Sequence, residues 1–227
     1  MNSQTENCRR FSSTSHALRN SAISLALLVA LSGCSRGGPK RLIPPRINAG
    51  NAAEQAMEMY DQDGDGFIAG EELEAAPALN AAMSTLDTDN DGEVSESEII
   101  ERIRVWQGTA AALAGITCVV TMDGRPLEAA NVTFEPEAFL GDELRTAIAY
   151  TDAFGEFSPS VPKKDRLSPD MPYGLSLGFY KVRFSKEVNG KETIPAIYNT
   201  ETILGQQVSP DDPVIVSPKK VFRLKSR

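Results

Sequence analysis

Two twelve-residue stretches carry oxygen ligands at one repeated spacing: Asp61-Gln-Asp-Gly-Asp-Gly-Phe-Ile-Ala-Gly-Glu-Glu72 and Asp87-Thr-Asp-Asn-Asp-Gly-Glu-Val-Ser-Glu-Ser-Glu98. Carboxylates fall at loop positions one, three, five and twelve: Asp61, Asp63, Asp65 and Glu72, then Asp87, Asp89, Asp91 and Glu98. A hard divalent cation needs about 6 to 8 oxygens at roughly 2.3 to 2.6 Å, and a segment that curls around it can supply them at this spacing. Gly66 and Gly92 hold the sixth positions, where the curl is sharpest and a Cβ is unwelcome. The backbone carbonyls of Phe67 and Glu93 are expected as the seventh-position ligands, with water completing the shell near Ala69 and Ser95. A bidentate glutamate at position twelve raises the coordination number past the octahedron of magnesium, so the expected cofactor is calcium, two ions. Four carboxylates against one dication leave each filled loop formally negative. An empty pair repels itself, and metal binding is therefore expected to be coupled to folding.

The elements that must position these loops are legible around them. Ile68 and Val94 sit at matching eighth positions, where β-branched side chains suit a short ribbon joining the loops. Ala52, Ala53, Ala56, Met57 and Tyr60 make an apolar face for an entering helix, and Ile99, Ile103 and Trp106 recur at helical spacing on an exiting one. On these residues, the stretch 48–107 resembles a paired EF-hand domain, bounded here as 49–107. Only 26 positions separate Asp61 from Asp87, and Pro77 lies between them, so two short inner helices are expected to meet at the proline. Little room remains for the opening motion of a calcium sensor, which favours a structural or constitutively loaded role. The short spacing also resembles dockerins, which implies an alternative role in calcium-dependent capture of a receptor protein. Against it, Glu72 and Glu98 stand where dockerin loops typically carry Asp.

Upstream, Arg9, Arg10 and Arg19 precede an uncharged apolar run at 21–31 that ends in Leu31-Ser32-Gly33-Cys34. This order reads as a secretory signal over 1–33 and not a spanning helix. Arg9-Arg10 is not read as a twin-arginine signal, because Ser12 and Ser13 occupy the places of the expected hydrophobic residues. Leu-Ser-Gly-Cys resembles the lipobox of bacterial lipoproteins. The resemblance implies export, a lipid on Cys34 that attaches the chain to a membrane, and, with Ser35 next, delivery to the outer membrane of the cell envelope. Residues 34–48 are basic and rich in Gly and Pro, as suits a solvated tether near anionic lipid.

Composition narrows the functions further. The formal charge is −8, and between residues 49 and 107 fifteen Asp and Glu face only Arg102 and Arg104, which argues against a nucleic-acid partner. The sole histidine, His16, lies in the signal region, and Cys118 is the only cysteine after Cys34. A Ser-His-Asp triad, a Cys-His dyad, a usual zinc site and an internal disulfide are all excluded for the mature chain. No catalytic residue is assigned. A carboxylate-based enzyme is the weaker alternative, since calcium already accounts for the clustered carboxylates. Cys118 shares an alternating face with Ile116, Val120 and Met122 and reads as a small buried hydrophobe.

Beyond an alanine-rich joint at 108–115, short alternating runs at 116–122, 131–134, 146–151, 179–185, 193–196, 214–216 and 221–224 are expected to be strands. The fold class is thus α + β: a small helical pair of calcium loops, then an antiparallel β-sandwich. The phrases Val120-Thr-Met-Asp-Gly-Arg-Pro-Leu127, Thr151-Asp-Ala-Phe-Gly-Glu-Phe157 and Tyr180-Lys-Val-Arg-Phe184 resemble the carboxypeptidase-regulatory-like, or transthyretin-like, domain. Over 115–227 this implies an immunoglobulin-like sandwich of an accessory, non-catalytic kind; an envelope protein or a polysaccharide is the class of partner considered for it, and the sequence does not identify which. Cys118 stands where such domains usually have glycine, and the stretch 158–177 is a long insertion. Asp152 is expected to start a turn.

Overall fold

The computed structural model describes residues 44–109, 111–166, 173–212 and 219–226, which belong to one compact unit. The signal region, Cys34, most of the tether and the expected strand at 214–216 lie outside them. Among the described residues no helix is long and apolar enough to cross a membrane.

The first half is helical. Helix α1 (Ala49–Tyr60) starts at Asn48, whose side chain accepts from the Asn51 N–H, and it buries Ala52, Ala53, Ala56 and Tyr60. The first acidic loop leads through strand β1 (Phe67–Ile68) into α2 (Gly70–Ala75). Pro77 opens α3 (Pro77–Asn80), where its missing N–H costs no hydrogen bond. Helix α4 (Met83–Leu86) enters the second loop, followed by β2 (Val94–Ser95) and α5 (Glu96–Gly108). The inner segment thus holds three short helices where two were expected.

The second half is built from strands. Strands β3 (Cys118–Met122), β4 (Arg125–Pro126), β5 (Asn131–Pro136), β6 (Ala147–Tyr150), β7 (Glu156–Phe157) and β8 (Gly178–Ser185) are followed by the hairpin β9 (Glu187–Val188) and β10 (Lys191–Glu192). Strands β11 (Gly205–Val208) and β12 (Lys220–Leu224) complete the set among the described residues. One antiparallel sheet has the order β11-β8-β5-β6; the other places β12, β4 and β7 around β3. Pairing in the second sheet is antiparallel except between β12 and β3, which run parallel.

The expected strand at 193–196 is not formed. Pro195 ends it, and Ala196–Tyr198 make a 3-10 turn. The insertion at 158–177 is tied down at both ends, by a bridge from Ser160 to Ile148 and another from Leu175 to Ala114.

Period-two alternation sends one face of each sheet inward. Phe134 of β5 and Phe184 of β8 there meet Phe157 of β7, and Phe184 also meets Phe222 of β12, with ring centroids 5.4 to 6.4 Å apart. On the other face of the first sheet, Phe179 meets Trp106 of α5 at 4.7 Å and Phe139 at 6.1 Å. The helices therefore stack on the outside of a sheet, and one continuous core runs through both halves.

Candidate metal centre

Each acidic loop begins where a helix stops. The Asp61 N–H still donates to the Met57 carbonyl at the end of α1, and the Asp87 N–H to the Met83 carbonyl at the end of α4. The chain then turns through left-handed backbone at the fourth and sixth positions of both loops, with φ of 75° at Gly64, 94° at Gly66, 62° at Asn90 and 87° at Gly92. Asparagine tolerates that region better than other side chains, which explains its place at the fourth position. The β1 and β2 strands pair antiparallel, Ile68 opposite Val94 and Phe67 opposite Ser95, and the two loops are thereby held side by side.

This backbone gathers the carboxylates. Asp61, Asp63 and Asp65 bring ligand oxygens within 4.8 Å of one another, and Asp87, Asp89 and Asp91 do the same. Internal hydrogen bonds hold both triads in matching fashion. Asp61 Oδ2 accepts from the Gly66 N–H at 3.1 Å, and Asp87 Oδ2 from the Gly92 N–H at 3.0 Å. Asp65 Oδ1 and Asp91 Oδ1 each accept at 2.9 Å, from the N–H of Phe67 and Glu93 respectively. These are the residues whose carbonyls the spacing assigns as ligands.

Glu72 and Glu98 lie outside the two triads but close their loops. Glu72 Oε1 accepts from the Gln62 N–H at 2.7 Å, and Glu98 Oε1 from the Thr88 N–H at 2.7 Å. The other oxygens reach the ninth positions, Ala69 and Ser95. Ser95 also caps α5, because its hydroxyl accepts from the Glu98 N–H while Glu98 accepts from Ser95. The hydrogen bond from Gln62 holds the Glu72 carboxyl below its ordinary pKa. At Glu98 desolvation pushes the pKa up, but the bonds from Ser95 and Thr88 outweigh it and the net shift is downward. Both carboxylates are thus kept ionised, as metal ligation requires.

The donor set fits a hard cation. It is all oxygen, it is repeated, and Asp87 Oδ1 is buried with no hydrogen-bond partner among the described residues. A recess of about 600 Å³, lined by Asp63, Asp65, Glu71 and Glu72 among others, opens beside the first loop. Phe67 and Ala69 differ chemically from Glu93 and Ser95 at equivalent positions, yet the backbone course is the same. That course is set by the left-handed turns and the Asp side chains.

The groups flanking the loops reach into the β half, and sequence reasoning missed them. The Tyr60 hydroxyl donates to Glu137 Oε2 at 2.9 Å, and Lys181 Nζ lies 3.3 Å from the same oxygen. Burial pushes the Glu137 carboxyl up, against the pull of Lys181 and Tyr60. Arg102, 5% exposed, donates from Nε to Gln207 Oε1 at 2.8 Å and grips Asp211 with its two terminal nitrogens at 2.7 and 2.9 Å. The bond from Arg102 is the largest of the influences that take Asp211 down to about 2. The only available signal was that Arg102 and Arg104 are the lone cations of an acidic stretch.

Cys118 is fully buried, and desolvation pushes its thiol up to about 12. Asp152 takes the N–H groups of Phe154 and Glu156 on one oxygen, which makes it a turn residue.

Comparison with known proteins agrees with this geometry over the helical half. A family profile described as EF hand matches the chain twice, at residues 53–75 and 79–101. No curated protein matches the chain. Residues 53–101 therefore carry a pair of EF hands, each built around one of the two Asp triads.

Proposed function

We propose that this chain is a non-catalytic, calcium-binding protein of a bacterial cell envelope that takes two calcium ions, one in each acidic loop. The observation that carries this reading is the matched pair of Asp triads, each with left-handed turns at the same two positions and a glutamate folded back over the loop. Aspartates 61, 63 and 65 with Glu72 would hold one ion, and aspartates 87, 89 and 91 with Glu98 the other. The ion supplies charge neutralisation, which lets carboxylates that repel one another share one site.

In the same reading, residues 1–33 direct export and Cys34 receives the lipid that anchors the chain. The two sheets form a transthyretin-like sandwich, a view supported by the aromatic layer between them. The sandwich presents a structural or binding surface to an envelope protein or polysaccharide, and calcium fixes the helical module against it.

Native mass spectrometry of the full chain tests the metal assignment. Two calcium ions are expected on the wild type, with one lost on Asp61→Asn and the other on Asp87→Asn. Equal uptake by wild type and both variants would refute the assigned loops. The anchor is tested separately by membrane partition of the wild type against Cys34→Ala. Partition that is unchanged in the variant would remove the lipid from the account.

A further inference from the structure

Both helices that flank the second acidic loop converge on a single side chain of the β half. Gln207 lies on β11, is 1% exposed, and sits opposite Phe179 of β8. Its Oε1 accepts from Arg102 Nε at 2.8 Å, and its Nε2 donates to Thr85 Oγ1 at 3.1 Å. The Thr85 hydroxyl donates onward to the Ala82 carbonyl at 3.0 Å. The bond directions are consistent throughout, from guanidinium to amide to hydroxyl to backbone. Thr85 stands two residues before Asp87, and Arg102 stands four after Glu98, one turn along the same face of α5. The clamp therefore begins within one helical turn of the first and last carboxylates of the loop.

Among the described residues the first loop has no counterpart to this. Its entering helix reaches the sheet through Tyr60 and Glu137, while α2 is followed in the chain by α3. Among the described residues β11 is also an edge, bonded to β8 on one side only. Helix α3 packs on the face of β11 that also carries Gln207, so closely that a Cβ on Gly205 would lie 1.9 Å from the Pro77 carbonyl oxygen. Opening of β11 therefore requires it to leave both β8 and the helices packed on its face.

Resting on the calcium reading above, we propose that Gln207 couples occupancy of the second loop to the closure of β11. Calcium in the loop fixes the separation of α4 and α5, and Thr85 and Arg102 then hold Gln207 between them. When the loop is empty the helices separate, the clamp loosens, and β11 detaches locally from β8. The β half thereby gains a calcium-controlled edge.

Amide hydrogen exchange on the full chain, run beside a calorimetric calcium titration, tests this. If opening of β11 abolishes binding in the second loop, calcium at 100 times its Kd slows exchange of the β11 amides about a hundredfold. The amides of β6, on the opposite edge of the same sheet, are expected to respond less. Gln207→Leu keeps the bulk and removes both hydrogen bonds, and it should still bind two ions while losing most of the protection at β11. Thr85→Val, a milder change, should lose part of it and serves if Gln207→Leu does not fold. Two ions bound with no slowing at β11 in the wild type, or protection retained in the variants, would overturn the coupling. No binding heat in the wild type would overturn the calcium reading and the coupling together.

Discussion

The Tyr60 hydroxyl donates to Glu137 Oε2 over 2.9 Å, joining the residue just before the first acidic loop to a carboxylate that is 1% exposed. Phenylalanine at position 60 would keep the edge-on contact with Phe139 but take away one of the two partners of that oxygen. Leaving a buried acceptor short of a donor costs about 1–3 kcal/mol. Tyr60→Phe is expected to lower the denaturant midpoint accordingly, with two calcium ions still bound by mass.

Gly205 has no room for a side chain. A Cβ there would lie 1.9 Å from the Pro77 carbonyl oxygen and 2.5 Å from the Ala78 Cα, both backbone atoms that cannot swing aside. Overpacking of this kind costs about 1–3 kcal/mol or more. Thermal unfolding of Gly205→Ala should show that loss, and a wild-type midpoint would mean that α3 does not press on β11.

Acid should weaken the β half in a defined window. Glu192 accepts from Ser185, Lys186, Thr193, Ile194 and Asn199, and although desolvation pushes its pKa up, the bonds from Ser185, Ile194, Lys186 and Thr193 bring it down from 4.5 to about 2. A carboxyl whose pKa is lower in the folded state stabilises above its unfolded value, and that contribution fades as pH falls through the folded value. Stability measured in chelator should therefore fall from about pH 4.5 toward about pH 2. Glu192→Gln should flatten that limb, and an unchanged slope would show that Glu192 is not held as described.

Cys118 should be silent as a thiol. It is 0% exposed, it packs in the layer between the sheets, and burial pushes its pKa up to about 12, far above the pH at which thiolates form on the surface. Alkylation mapped by mass spectrometry should leave Cys118 unmodified in the native chain and modify it in denaturant. Rapid native labelling would contradict its placement.

The acidic loops were legible because every determinant is local: ligand spacing, the glycines, and Ile68 opposite Val94 lie within one stretch of chain. The buried faces of α1 and α5 followed from helical spacing for the same reason. Strand β11 was not legible. Its sequence, Gly-Gln-Gln-Val, has no apolar alternation, and Gln207 is buried because Arg102 and Thr85, distant in sequence, satisfy its amide. Arg102 finds Gln207 and Asp211 more than a hundred residues away, so nothing near it announces the contact. Residues 193–196 look like a strand by composition, but Pro195 and the hydrogen bonds gathered by Glu192 make a turn.

The central claim is that two calcium ions bind to paired loops and order the helices around them. Calorimetric titration of the metal-stripped chain with calcium, with circular dichroism followed in parallel, tests it most directly. The account predicts two ions bound, a gain in helical signal, and reversal of both by chelator. Absence of binding heat together with an unchanged spectrum would contradict it.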